Sequence, residues 1–414
     1  MKILIISQYY PPETGALATR MSNLAKQLQT KGHDVIVLTE IPNYPSGVVT
    51  PKYRFKLFVK EKYNGIKVFR TFVCANPRKT NFQRMSFYLS FMFSATIAGL
   101  FLPKVDMVIA TSPPLFVGVS GFVTSRLKGA KFILDIRDLW PESAVYLGEL
   151  KAGKIANLAG RLEQYLYKKA EKITIAVPGF RGRLVDKGVP DSKIINFQNG
   201  VDTRHFQPCA SHDELKNSFN MGNKFVVLFS GNHGLAQGLF TVLEAAQLLK
   251  EYKDIVFLFV GSGVDKDRLM STAGNMQLGN VIFSPEKPHQ QMPEIISMSD
   301  VCLVPLKNLQ LFDNALPSKM FEYMACGKPI LSTLTGEGRD LIMRSNSGLS
   351  VPPEDAPQMA KAVIKLYNDR ALKASLGYNG LLYVREHFSR EKMISLLESE
   401  LLNFSYSFKQ NSNK

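Results

Sequence analysis

Short apolar runs, each closed by a turn-rich loop and most followed by a stretch of helical periodicity, recur from one end of this chain to the other. Residues 3–7 form the first run and the loop Gln8–Gly15 follows. Leu17, Met21, Leu24, Ala25 and Leu28 then repeat at helical spacing before the next run at Asp34–Leu38. The rhythm continues through Met107–Ala110, a helix near 115–127, Lys131–Asp135, a helix over 155–170 and Ile173–Val177, and closes at Ile194–Asp202. After a polar stretch at 203–223 it restarts with Phe225–Phe229, a helix to Lys250, Val256–Val260, Val281–Phe283, Val301–Val304 and Pro329–Thr333. Strands this short and this continuously apolar are buried on both faces, so the spacing predicts parallel sheets covered by helices. At 414 residues the chain exceeds one ordinary core. The expected fold is α/β, two doubly wound domains facing each other across a cleft, with the linker at 203–223.

In open parallel sheets ligands bind beyond the carboxyl ends of the strands, so the loops there are the candidate sites. Gly15 in the first such loop either lets backbone approach a phosphate or is a turn glycine only. The second half offers Ser230-Gly231-Asn232-His233-Gly234-Leu235-Ala236-Gln237-Gly238, Gly261-Ser262-Gly263 and Pro285-Glu286-Lys287-Pro288-His289. The stretch Leu316–Pro329 reads as a short helix punctuated at both ends. Pro317 suits a first turn, and Gly327 followed by Pro329 is a stop signal. Met320, Phe321, Met324 and Ala325 form a buried face, leaving Ser318, Lys319 and Glu322 on another. Free N–H groups at a helix start, a cation beside them and a carboxylate one turn on suit a nucleoside diphosphate. Glu322 as a ribose acceptor and Glu322 as a solvated helix residue both remain open here.

Charge is divided unevenly. Residues 1–200 hold 29 Lys and Arg against 13 Asp and Glu, while 201–414 hold 22 of each, so the first half carries the whole net charge of +16. Ten of those bases lie between Lys52 and Arg84 with one acid, Glu61, and with interleaved aromatics. The uncharged span Met85–Pro103 follows. Ser86, Ser90 and Ser94 recur on one of its faces, leaving a buried core helix and a membrane-surface helix as equal readings and a full span as the weakest. Basic residues with aromatics beside an apolar helix favour an anionic membrane surface over nucleic acid, for which no recognition motif is present. The loop Ile136-Arg137-Asp138-Leu139-Trp140-Pro141-Glu142-Ser143 places several charges after a strand end. It is either a site or a solvated loop with an internal Arg137–Asp138 or Arg137–Glu142 pair. Cys74, Cys209, Cys302 and Cys326 show neither CxxC pairing nor metal spacing, which argues for a reducing compartment. The polar Ser7-Gln8 arrives too soon for a signal peptide.

Taken together, Gly15, Asn199-Gly200-Val201-Asp202, Gly231 to Gly238, Gly261-x-Gly263 and Pro317-Ser318-Lys319 with Glu322, Gly327 and Pro329 resemble one family. It is the retaining nucleotide-sugar glycosyltransferases of the two-Rossmann-domain (GT-B) fold, glycosyltransferase family 4 type, which includes sucrose synthase. The resemblance runs from Met1 to about Phe388. Within the family the chain looks most like bacterial transferases that use L-fucosamine-type donors in surface polysaccharide assembly. The resemblance implies an acceptor-binding domain at 1–203 with a membrane-facing segment and a nucleotide-sugar domain at 224–385. It also implies a C-terminal helix and tail at 386–414 that returns to the first domain. It implies transfer from a UDP-sugar to a polyprenyl-diphosphate-linked saccharide, with no metal, no cofactor and no protein nucleophile, on the inner face of the cytoplasmic membrane. Carried onto this chain, the nucleotide-sugar site comprises Gly15, Gly231, Lys287, Pro288, Asn314, Ser318, Lys319 and Glu322. Lys319, Asn232, Gln237 and Asp138 take the catalytic positions, and Arg137, Asp138 and Glu142 the acceptor positions.

Two departures qualify this. The family's acid eight residues before the ribose-binding Glu is Asn314 here, with Asp313 one earlier. The family's Gly-Arg-x(4)-Lys-Gly is Gly231-Asn232-x(4)-Gln237-Gly238, two amides in place of two cations. Charge neutralisation at the diphosphate then falls on Lys319, the helix dipole, or another base such as Arg20 or Lys328. A UDP-sugar epimerase or hydrolase of the same fold, and a non-catalytic membrane-bound nucleotide binder, stand as alternatives.

Overall fold

The apolar runs of the first two hundred residues become strands of one sheet. A computed structural model describes residues 1–411 other than 14, 45, 79, 147–149, 152, 210–212, 310, 311 and 314. It divides into two units, Met1–Gln198 with Met393–Lys414, and Asn199–Lys392.

In the first unit the strands are β1 (Lys2–Ile6), β2 (Asp34–Glu40), β3 (Phe58–Tyr63), β4 (Ile66–Thr71), β5 (Met107–Ser112), β6 (Lys131–Ile136), β7 (Lys172–Ile175) and β8 (Ile194–Asn196). They lie in the order β3-β4-β2-β1-β5-β6-β7-β8, and every pair is parallel except β3 with β4. The strand order reverses between β1 and β5, so the loops beyond those two carboxyl ends are the natural ligand crevice of this sheet.

The β3–β4 hairpin is absent from the sequence reading, which took residues 52–84 only as a basic stretch. Its signal is Asn64-Gly65, both at positive φ, after the alternating run Phe58–Tyr63. The one acid of that stretch has a structural task. Glu61 accepts from the Nε of Arg70, whose side chain is completely buried, at 2.6 Å, and from Lys52 at 3.1 Å. Burial pushes the Glu61 carboxyl up, but the Arg70 bond and charge outweigh it and hold the group below its ordinary range.

Most of the Met85–Pro103 span, up to Phe101, lies within a helix, Asn81–Phe101, opened by a capping box between Thr80 and Gln83. Its inner face is that of a core helix. Phe87, Phe91, Ala95 and Ala98 are buried, and the serines turn toward the segment after β4, with Ser90 Oγ accepting from Cys74 N and Ser94 Oγ donating to Phe72 O. The outer face is apolar and open, with Phe93, Ile97 and Phe101 61%, 58% and 84% exposed. Among the described residues no helix is long and apolar enough to cross a membrane.

The last helix, Arg390–Asn411, enters the first unit at Met393. There Glu398 bonds Lys31 at 2.7 Å and His33 at 2.9 Å.

The second unit holds β9 (Phe225–Ser230), β10 (Ile255–Val260), β11 (Val281–Ser284), β12 (Val301–Val304), β13 (Ile330–Ser332) and β14 (Gly348–Ser350). The order is β11-β10-β9-β12-β13-β14, all parallel, with the reversal between β9 and β12. Every residue of β9, β10 and β12 is buried. Phe225, Val227, Phe229, Phe257 and Phe259 pack under the flanking helices, each contributing on the order of 1.5–3 kcal/mol of transfer free energy. That rigid layer is what holds the loops at its carboxyl edge in place.

Candidate functional site

The loop after β9 and the helix Ser318–Ala325 meet at the reversal point of the second sheet. Their junction is made by side chains from both. Tyr323, fully buried, puts its hydroxyl 2.9 Å from Ser230 Oγ and accepts from Ser230 N at 3.1 Å. Two glycines then allow a backbone crossing no other residue permits. Gly231 has φ +126 and Gly261 φ +144, and a β-carbon on Gly261 would stand 2.0 Å from Gly231 O.

Lys319 reaches back over this crossing. Its Nζ donates to Gln237 Oε1 at 3.1 Å, lies 4.1 Å from the centroid of the Phe229 ring, and would be 3.3 Å from a β-carbon on Gly231. No carboxylate lies within ion-pairing distance of it among the described residues. Burial lowers its ammonium to about 7, partly countered by the negative charge of Glu322. Ser318 and Lys319 open the helix, so their N–H groups have no acceptor within it. Glu322 follows one turn on, 26% exposed, with His289 Nε2 3.8 Å away. The arrangement is a cation and helix-start donors at a glycine turn, followed by an accessible carboxylate.

The two amides that replace the expected cations do not act alike. Gln237 spends its carbonyl on Lys319. Asn232 folds between its own loop and the loop after β10, so that a β-carbon on Gly263 would meet its Oδ1 at 2.5 Å and one on Gly234 its Nδ2 at 2.8 Å. The substitutes suggested for the missing charge are engaged elsewhere. Arg20 donates to Asp135 at 3.1 Å and to Phe197 O at 2.7 Å and stacks 3.9 Å from the Phe197 ring. Lys328 lies in the field of Asp300 and Cys302, at the amino ends of the strands and so on the opposite edge of the sheet from Gly231. Lys287 is half-buried, 5.7 Å from the Phe219 ring centroid, and Pro288 is exposed beside it. Asn314 lies outside the described residues.

Four residues of this region escaped the sequence reading. Lys266 Nζ ties Gly261 O at 2.7 Å to Ser284 O at 2.9 Å and so braces the glycine crossing. His233 is wholly buried against Phe229, Phe259 and Phe283 with neither ring nitrogen bonded among the described residues. Burial, with the charges of Lys266 and Lys319, pushes it down to about 4, so it is a neutral packing residue. Tyr323 carried a signal, a tyrosine on the apolar side of a helix. Arg390, within the field of Glu322 and 3.5 Å from Asp202, comes from so far along the chain that nothing local announced it.

In the first unit Gly15 is exposed, with φ +123 and open space around its α-carbon, at the start of the helix Ala16–Thr30. Arg137 and Asp138 follow β6, and Arg137 N donates to Ser112 O at the end of β5. Neither anticipated internal pair forms among the described residues. Glu142 instead bonds Arg183 and Lys187, each at 2.8 Å, which commits it to a surface network.

Residues 211–382 match the family model "Glycosyl transferases group 1" and residues 15–200 the model "Glycosyl transferase 4-like domain". The chain is similar to a putative colanic acid biosynthesis glycosyl transferase, WcaI, of Escherichia coli strain K12, 29% identical over 340 residues, 79% of this chain and 82% of that protein. It is also similar to the probable glycosyltransferase WbjE of Pseudomonas aeruginosa, 26% identical over 67% of this chain and 69% of that one. In structure it resembles a sucrose-phosphate synthase of Thermosynechococcus elongatus, TM-score 0.77 at 18% identity, over 98% of this chain and 99% of that one. It likewise resembles Anabaena HepE in complex with UDP-glucose, TM-score 0.73 at 14% identity, over 98% and 100%. These likenesses identify the fold as GT-B.

Proposed function

Since the chain belongs to the group 1 glycosyl transferases, with a 4-like first domain, and is a glycosyltransferase, we propose that it moves a sugar from a UDP-sugar to a polyprenyl-diphosphate-linked saccharide, with retention, in bacterial polysaccharide assembly. The observation that carries the reading is the position of Lys319, held at the Gly231 turn with helix-start donors beside it and Glu322 one turn on. The colanic acid relative supports the pathway class, and the UDP-glucose complex of HepE supports the donor class.

In the transfer the bond between the anomeric carbon and the β-phosphate oxygen breaks and a bond to the acceptor hydroxyl oxygen forms. The hydroxyl proton passes to the departing β-phosphate. Negative charge grows on that phosphate as the bond opens, and donors already aimed there lower the barrier without reorganising. Lys319 and the N–H groups of Ser318 and Lys319 take that role. Glu322 accepts the ribose hydroxyls, and Gln237 holds the Lys319 ammonium in place. No step needs a metal or a protein nucleophile. We assign the donor sugar to the N-acetylated deoxy-amino class that the sequence resemblance indicates.

A lipid-linked acceptor requires the first unit to reach a membrane, and its surface suits one. Phe93, Ile97 and Phe101 on the outer helix face, with Phe55, Leu57 and Phe72, are exposed. Lys60 and Lys62 stand exposed along β3. Each base near an anionic surface contributes on the order of 1 kcal/mol.

Mass spectrometry of products from a panel of UDP-sugars with extracted polyprenyl-linked acceptors tests the reaction, and an acceptor heavier by one glycosyl unit is expected. Release of UDP without acceptor would make the enzyme a hydrolase, and products from GDP-sugars alone would overturn the donor class. Sedimentation with anionic but not neutral liposomes, reversed by high salt, is expected for the membrane surface. No binding in either case would refute it.

A further inference from the structure

The loop leaving β6 carries a cation, Arg137, that makes no ion pair among the described residues. Arg20 and Arg70, buried guanidiniums of the first unit, each bond a carboxylate, at 3.1 and 2.6 Å. Arg137 bonds none among the described residues. Its Nε is sealed from solvent without an acceptor, and its terminal nitrogens, also unbonded among those residues, stay open to the surface. Burial, with the positive charge of Arg20 beside it, lowers the guanidinium to about 10, against the pull of Asp135 and Asp138. Asp135 attracts it through its field only, with Oδ1 held by Arg20 and by Thr174 Oγ1 at 2.7 Å and Oδ2 making no hydrogen bond among the described residues. A guanidinium nitrogen sealed from water without an acceptor is costly, and the terminal nitrogens that remain open are where a ligand can reach the group.

The position is fixed rather than loose. Arg137 N donates to Ser112 O at 2.9 Å, which anchors the loop to the end of β5, next to the strand reversal of this sheet. The next residue, Asp138, keeps a partly exposed carboxylate with no bond among the described residues. A planar fork of N–H donors beside a free carboxylate offers one place for an oxyanion and one for a hydroxyl donor.

We infer that Arg137 and Asp138 form a subsite for a sugar that carries an oxyanion, Arg137 taking the phosphate or carboxylate and Asp138 accepting from a neighbouring hydroxyl. This rests on the reading of the chain as a sugar transferase and specifies the class of saccharide it engages. The anion comes from one of two sources, a phosphate at the anomeric oxygen or the carboxylate of a uronic acid.

The test is titration calorimetry on the full chain with glucose 1-phosphate, glucuronic acid and inorganic phosphate as probes. Lys319→Ala removes the cation of the second unit and is expected to retain binding of at least one sugar probe. Arg137→Gln is expected to weaken that probe about tenfold or more, the scale of a lost charge-assisted pair. Arg137→Lys, which keeps charge but not the fork, should fall between. Asp138→Asn should weaken the sugar probes and leave inorganic phosphate unchanged. Preference for glucose 1-phosphate identifies the phosphate source, and preference for glucuronate the uronic acid. Equal affinity in wild type and a folded Arg137→Gln overturns the subsite, as does loss of all binding in Lys319→Ala. Arg137-dependent binding in a protein that transfers no sugar from any donor would leave the subsite standing and remove the transferase reading instead.

Discussion

Donor binding should take up a proton at Lys319. In the free protein burial holds that ammonium near 7 rather than the ordinary 10.5, its acceptor is the neutral oxygen of Gln237, and the Phe229 ring lies beneath it. A diphosphate arriving beside it supplies the missing negative charge and drives it to the charged form. If only the charged form binds, about 90% of the free protein is competent at pH 6 and about 10% at pH 8, so the apparent Kd rises roughly tenfold between them. The probe should be UDP-glucose rather than UDP. Its phosphates do not titrate in this window, whereas a terminal phosphate ionises near pH 6 and would oppose the trend. Calorimetry at pH 8 in buffers of different ionisation enthalpy should show nearly one proton taken up. Lys319→Arg, charged throughout, should remove the pH dependence. Stability of the free protein should move the other way. Between about 7 and 10.5 the unfolded chain holds this proton and the folded one does not, so this residue's contribution to stability rises with pH across that window. Affinity for UDP-glucose that is constant from pH 6 to 8 with no buffer dependence would refute the reasoning.

Other expectations follow from single contacts. Glu322→Gln should weaken UDP binding by about 1.5–3 kcal/mol, and unchanged affinity by calorimetry would remove Glu322 from the site. Gly261→Ala drives a β-carbon toward Gly231 O at a φ that disfavours side chains. A urea melt should show a loss of about 2–4 kcal/mol together with loss of donor binding. Arg70→Met takes from Glu61 its buried partner and leaves it Lys52 and Tyr53, so a loss of about 1.5–3 kcal/mol is expected by urea melt, the scale of a hydrogen bond to a charged group. Gln237→Glu, placing a carboxylate 3.1 Å from Lys319 Nζ, should hold the ammonium charged and flatten the pH dependence of donor affinity while lowering that affinity overall.

What could be read from the sequence was what repeats locally. The parallel strands announced themselves because a strand buried on both faces needs an unbroken apolar run, and Phe225–Ser230 or Ile255–Val260 can hardly be read otherwise. The helix at Ser318 was legible through its punctuation. The β3–β4 hairpin is marked only by Asn64-Gly65 and by the alternation of β3, because β4 is buried at all but one position and its bases read as surface charge. Long-range pairings were beyond reach. That Arg20 is spent on Asp135, that Glu142 serves Arg183 and Lys187, and that Lys266 braces Gly261 depend on which loops the sheet order brings together.

The first unit is assembled from both ends of the chain, Met1–Gln198 and Met393–Lys414, while Asn199–Lys392 is continuous. During synthesis the carboxylate of Glu398 does not exist when Lys31 and His33 leave the ribosome, and at roughly 5–20 residues per second it follows some tens of seconds after Gln198. The second unit therefore has all its residues before the first does. For that interval the nascent first half waits as an unfinished structure, strongly basic and with the side of Lys31 and His33 that Glu398 later meets still uncovered. A premature stop anywhere from Asn199 to Lys392 would leave that half permanently incomplete, even though none of its own strands had been touched.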